Sequence, residues 1–127
     1  MSSRGAVYKK YDGRCAYCGK AIHKQMMQVD HIHPKSGYIQ TDEHGNKLNP
    51  NRLENLNPAC RSCNGYKGAY SVEEFRRYLK QMFHTKNEYL FKSKMKMQCA
   101  INFEVLVMKE WDGQFYFEKV THNKNQL

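Results

Sequence analysis

The chain has 127 residues, a formal net charge of +9 and 13% aromatic residues. The length suits one domain with at most a small appendage, and the aromatic content excludes a disordered polar tract. The basic balance favours a polyanionic partner; no apolar run approaches bilayer-spanning length and Met1–Gly5 has no signal-peptide character, so nucleic acid is expected rather than a membrane, in the cytoplasm.

Residues 1–14 are basic and mixed, and Tyr8-Lys9-Lys10-Tyr11 suits either a helical turn or a short strand. Asp12-Gly13 is a turn leading into Cys15-Ala16-Tyr17-Cys18-Gly19-Lys20, where Gly19 fits the positive-φ position of a cysteine knuckle. Gln25 to His31 reads as a short strand with Met27 and Val29 on one face, while the adjacent Asp30 and His31 point to opposite faces; Pro34 stops the pairing. Residues 35–52 form a polar insert, in which Tyr38-Ile39-Gln40 and Lys47-Leu48 are placed to pair around Glu43-His44-Gly45-Asn46. Leu53 to Ala59 bring the chain back as a brief extended stretch anchored by Leu53 and Leu56, with Pro58 arguing against a central strand.

The second knuckle, Cys60-Arg61-Ser62-Cys63, is followed by a short helix carrying Asn64 and Lys67 one turn apart and ended by Gly68. Ser71-Val72-Glu73-Glu74 is a capping box opening a helix to about Phe83, with Phe75, Tyr78, Leu79, Met82 and Phe83 as its core stripe. Residues 84–100 suit a second helix or a solvated strand. From Ile101 the alternation of Phe103, Val105 and Val107 with polar and bulkier neighbours predicts a strand, and Asp112-Gly113 predicts a hairpin turn into Phe115 and Phe117. The aromatic residues of that hairpin (Trp111, Phe115, Tyr116, Phe117) fit core packing better than base stacking, and the tail from His122 is expected to be loose.

Cysteine usage adds a constraint. In a reducing compartment five cysteines do not make a disulfide framework. Four fall into two C-x2-C pairs, Cys15 with Cys18 and Cys60 with Cys63, a spacing that suits four thiolates around one Zn²⁺. Such a site is closed and structural; it would clamp the segments before and after the extended pair. Idle cysteines are the plain alternative, and a zinc ribbon that only binds would carry the same residues. Cys99 is left over and is assigned no function.

Between the knuckles lies Val29-Asp30-His31-Ile32-His33-Pro34. Phosphodiester hydrolysis needs a base to activate water and a cation to neutralise charge on phosphate and leaving oxygen. A neutral histidine suits the first task, and a carboxylate with an amide oxygen suits a hard cation. Asp30, His31 and Asn64 have that chemistry. Taken singly each has a bland reading: an accidental Asp-His pair, a helix N-cap at Asn64, a solvated charge at Lys67.

Together, Cys15-x2-Cys18, Asp30-His31-Ile32-His33-Pro34, Glu54-Asn55-Leu56 and Cys60-x2-Cys63-Asn64-x2-Lys67-Gly68 resemble an HNH endonuclease with the ββα-metal, or His-Me finger, fold. The resemblance spans about Cys15 to Phe83. It implies a ββα-metal core with a structural four-cysteine zinc site; with the C-terminal helix and β-hairpin read from the pattern beyond it, the expected fold is α+β. Two regions are expected, a nuclease core at 1–83 and an extension at 84–127 that lies beyond the resemblance and whose role stays open. It further implies that His31 is the general base, that Asn55 orients it, that Asp30 and Asn64 bind a catalytic Mg²⁺ or Mn²⁺, and that Lys67 lies near the phosphate; Arg61, Lys67, Arg76, Arg77 and Lys80 are the candidate DNA-phosphate contacts, each with a solvated surface charge as its plain alternative. Asn64 stands where many members have histidine, making this an H-N-N variant. The expected activity is metal-dependent hydrolysis of DNA by a single cation. A non-catalytic zinc module binding nucleic acid or protein is the alternative, as is a nuclease active only with a partner; a homodimer or a larger protein partner stays open.

Overall fold

A computed structural model describes residues 3–35, 40–85 and 94–125. Ser3 caps the first helix, α1 (Arg4–Lys9), by accepting from Ala6 N at 3.1 Å, so the basic N-terminal stretch is helical rather than extended. Asp12 and Gly13 both take positive φ, turning the chain sharply into the first knuckle. Lys10 Nζ donates to Leu53 O at 3.1 Å and Leu56 O at 2.8 Å, tying the end of α1 to a segment far away in sequence.

Strand β1 (Gln28–His31) pairs antiparallel with β2 (Leu56–Ala59), in the register Gln28–Ala59, Val29–Pro58, Asp30–Asn57 and His31–Leu56. A two-stranded ribbon has no central strand, so Pro58 forfeits no central ladder bond. Its carbonyl instead accepts from Ala16 N at 2.8 Å, joining ribbon to knuckle. The insert between the strands turns back on itself: Leu48 N donates to Gln40 O at 2.8 Å, Thr41 bridges Lys47, and Asp42 Oδ1 accepts from His44 N and Asn46 N. Tyr38 and Ile39, expected in the same pairing, lie outside the described residues.

Helix α2 (Arg61–Lys67) starts at Cys60 and stops at Gly68, whose φ of 48° favours glycine. Helix α3 (Val72–Thr85) opens on the expected capping box, with Ser71 N donating to Glu74 Oε1 at 3.0 Å and Glu74 N to Ser71 Oγ at 3.1 Å. The order β1, β2, α2 is therefore a ββα element, and the α+β class holds for the core. The buried apolar side chains include Val7, Met27, Leu56, Phe75 and Phe115. Tyr17 stands edge-on to Phe75 and Phe115, with ring centroids 5.5 and 5.2 Å away.

The C-terminal β-hairpin is not formed. Helix α4 (Lys94–Asn102) takes only the first two residues of its first limb, residues 103–112 form no strand, and helix α5 (Tyr116–Asn125) takes its second. The N–H groups of Val105 and Leu106 both return to Ala100 O, at 2.9 and 3.1 Å, and Glu104 takes a φ of 60°. These bonds close the end of a helix and offer nothing to a partner strand. On the other limb, Phe115 is buried against Tyr17 and Phe75, while Tyr116 N and Phe117 N donate to Tyr17 O at 3.0 Å and Ala16 O at 2.7 Å. Glu118 Oε1 accepts from Phe115 N at 2.8 Å, capping α5. The aromatic pair that looked like the face of a strand is the anchor of a helix.

Two compact units result, one of residues 1–75 with 114–127 and the other of 76–113. The division falls elsewhere than the expected break after Phe83, because burial of Phe115 brings the C-terminal helix into the first unit. Within the second unit Phe83 stands edge-on to Trp111 at 5.9 Å, and Arg76 donates to Gly113 O. Among the described residues no helix is long and apolar enough to cross a membrane.

Candidate functional site

The two knuckles bring the sulfurs of Cys15, Cys18, Cys60 and Cys63 within 4.8 Å of one another. Zn–S bonds of about 2.3 Å in a tetrahedron put sulfurs about 3.8 Å apart. Cys18 Sγ and Cys60 Sγ lie 3.9 Å apart. Local backbone geometry sets this up. Cys15 N donates to Lys20 O at 2.8 Å and Gly19 N to Cys15 O at 3.0 Å. Gly19 has a φ of 78°, and a Cβ there would meet the Tyr116 ring at 2.9 Å, so glycine is required twice over. Hydrogen bonds from the Cys18 and Cys63 thiols hold Cys15 far below the usual thiol range, and the Cys15 bond pushes Cys18 up to about 11. Sulfurs this close oppose one another's ionisation, and a divalent cation relieves the conflict. The donor set fits zinc. Cys99 is exposed and apart from this cluster.

Beside the staple, Asp30, His31 and Asn64 lie on the wall of one open recess of about 340 Å3. β1 supplies the first two and the first turn of α2 the third. The strand alternation works as expected, since Asp30 is buried and its neighbour His31 is half-exposed.

Asp30 is 3% exposed and heavily partnered. Tyr17 OH donates to its Oδ2, and Lys67 Nζ lies 3.2 Å from each carboxylate oxygen. Burial pushes the carboxyl above its ordinary value, opposed by the Tyr17 hydrogen bond and the Lys67 charge. Burial and the Asp30 charge push the Tyr17 phenol up as well. Asn57 Nδ2 donates to the Tyr17 oxygen at 3.4 Å.

Lys67 corrects an expectation. It was placed among the phosphate contacts, yet it is 0% exposed. Its position on α2 faces β1, and a buried ammonium is tolerable only with partners. It has them: besides Asp30, Nζ donates to His31 O at 2.9 Å.

Asn55 is buried and acts on the backbone. Its Oδ1 accepts from His33 N at 2.8 Å, and Nδ2 donates to His33 O at 3.1 Å and Pro50 O at 2.9 Å. Its own carbonyl accepts from Ile32 N at 2.9 Å. The loop leaving His31 is thus clamped. The side-chain partner of His31 is another residue, Asn51, whose Oδ1 lies 2.8 Å from Nε2. Asn64 Nδ2 donates to Gln28 Oε1 at 2.6 Å, so its amide nitrogen is occupied and its oxygen is the donor left for an ion.

Tyr17, Gln28 and Asn51 were not singled out from the sequence. Gln28 stands two residues before Asp30 on one strand face, a signal that could have been read. Asn51 sits in an asparagine-rich run that looked like turn material. Among the expected phosphate contacts, Arg61 is exposed and belongs to the first unit. Arg76, Arg77 and Lys80 belong to the second; Arg76 is half-buried on Gly113 O, while Arg77 is exposed with its guanidinium 5.2 Å from the Tyr78 ring centroid. Lys80 is exposed.

Residues 15–69 match the family model described as HNH endonuclease. SPbeta prophage-derived YoqL of Bacillus subtilis (strain 168), which carries an HNH endonuclease name, is 35% identical over 68 residues; these cover 51% of this chain and 27% of the relative. The chain therefore spans about a quarter of that relative's length. Among solved structures, the Type II-C Cas9 enzyme from Actinomyces naeslundii is 27% identical with a TM-score of 0.46, over 58% of this chain and 7% of the other.

Proposed function

We propose, proceeding from the HNH endonuclease domain at residues 15–69, that the protein is a metal-dependent endonuclease hydrolysing DNA phosphodiester bonds. The observation that carries this reading is the shared recess, which His31, Asp30 and Asn64 line together, with Asn64 following directly on the cysteine cluster.

His31 takes a proton from water. Asp30 and the oxygen of Asn64 are the residues that would hold Mg²⁺ or Mn²⁺, hard ions suited to oxygen donors. When bound, the ion supplies charge neutralisation on the scissile phosphate and the leaving oxygen. Asn55 holds the backbone around His31. Because Lys67 already shares the charge of Asp30, the two protein oxygens would by themselves make a weak site. The formal charge of +9 favours approach of a polyanion, with Arg61, Arg77 and Lys80 available for phosphates.

The satisfied state of Asp30 also favours a second reading, a zinc-containing module that binds nucleic acid without cutting it. Plasmid incubated with Mg²⁺ or Mn²⁺, alongside His31→Ala, separates the two. Nicked or linear product from the wild type, lost in the variant, is expected. An inert wild type under every ion would leave the binding module, or a nuclease that needs a partner.

A further inference from the structure

A neutral imidazole has one N–H and one basic nitrogen, and the hydrogen bond at one nitrogen decides the character of the other. Asn51 presents its carbonyl oxygen, not its amide nitrogen, to His31 Nε2 at 2.8 Å. An acceptor there requires the proton on Nε2. Among the described residues no protein group is hydrogen-bonded to Nδ1. Asn51 is not on the wall of the recess that His31 shares with Asp30 and Asn64.

We propose that Asn51 is a positioning residue that fixes His31 as the Nε2–H tautomer and so leaves Nδ1 as the basic nitrogen serving the recess. Its use in catalysis rests on the nuclease reading above. The pair is held from both ends by one side chain. Asn55 Nδ2 donates to the carbonyl of Pro50, next to Asn51, and Asn55 also grips both backbone groups of His33, two residues past His31. Asn51 N in turn donates to Asn49 Oδ1 at 2.9 Å, setting the turn that aims the side chain. Asn55 therefore acts on the imidazole twice, through the strand end and through Asn51.

Long-range proton–nitrogen correlation on the zinc-loaded full chain reads the tautomer without DNA or turnover, with His31→Gln identifying the signals. The wild type should show a pyrrole-type Nε2 and a pyridine-type Nδ1. Asn51→Ala should average both nitrogens between tautomers, and Asn51→Asp, which keeps an acceptor, should restore the wild-type pattern. In the plasmid assay Asn51→Ala should lower kcat on the order of tenfold with KM for DNA unchanged. A proton on Nδ1 in the wild type, as an amide turned the other way would impose, overturns the proposal, as do nitrogen signals indifferent to Asn51→Ala. The wild-type spectrum alone decides if that variant folds poorly. An inert protein with the expected spectrum would remove only the stand-alone nuclease reading and leave the tautomer; a cutting protein with Nδ1–H would overturn the tautomer and leave the nuclease.

Discussion

In the unit of residues 1–75 and 114–127, Phe75 and Phe115 are buried with stacked rings 5.2 Å apart. In the unit of residues 76–113, Phe103 and Val105 are 80% and 83% exposed. The residue types are alike; what differs is what surrounds them. The first unit has a ribbon, a cysteine cluster and three helices against which an aromatic side chain can be covered. The second has the end of α3 and the nine-residue α4, and its apolar alternation from Phe103 to Val107 has no strand to pair with among the described residues. The same contrast holds for polar groups. In the first unit the buried Asp30, Asn55 and Lys67 are tied to named partners, whereas the second contributes no residue to the buried polar set among those described.

Three experiments test that contrast, and removal of the staple should do the most. Metal analysis should find about one zinc per chain, and Cys60→Ser should lose it. Structural zinc contributes about 10–16 kcal/mol, comparable to or larger than the whole stability of an ordinary domain, so the first unit should unfold. Amide exchange of α4 should change little. A folded, zinc-free variant would mean that the ribbon and aromatic cluster suffice alone.

A smaller effect is expected at the buried ion pair. Lys67→Met leaves the Asp30 carboxylate without its cation and should lower stability by about 3–5 kcal/mol in denaturant titration. Adding Asp30→Asn should recover part of this, since the stranded charge is then gone. No recovery would assign the loss to packing around α2.

The contrast itself is sharpened by paired substitutions. Phe75→Ala should lower stability by about 3–5 kcal/mol through the cavity it leaves. Phe103→Ser, at an exposed position, should change it by no more than about 0.5 kcal/mol. Equal losses would show that the second unit buries Phe103 in solution and that the contrast is wrong.

Local chemistry was legible wherever a few neighbouring residues decide the outcome. The capping box at Ser71 and Glu74, the stop at Gly68, the knuckle glycine and the alternation of Asp30 and His31 all depend on contacts within a turn or a strand pleat. The C-terminal half was misread because a period of two marks a strand only when another strand is there to pair with it. The sequence of 101–108 carries that period, but the partner limb was drawn away by Phe115. Lys67 was misread because a lysine after a knuckle looks the same whether it faces water or a carboxylate.

Taken alone, the order of residues determined that two cysteine pairs bracket an Asp-His dipeptide, that an asparagine follows the last cysteine, and that extended segments lie between the pairs with a short helix at the second. Only the tertiary structure decided that Lys67 turns inward, that Asn51 rather than Asn55 meets the imidazole, and that the last helix closes over the first knuckle. Spacing along a chain constrains which elements form. The partner of a polar side chain is set by which elements meet, and those contacts join residues 20 to 37 positions apart.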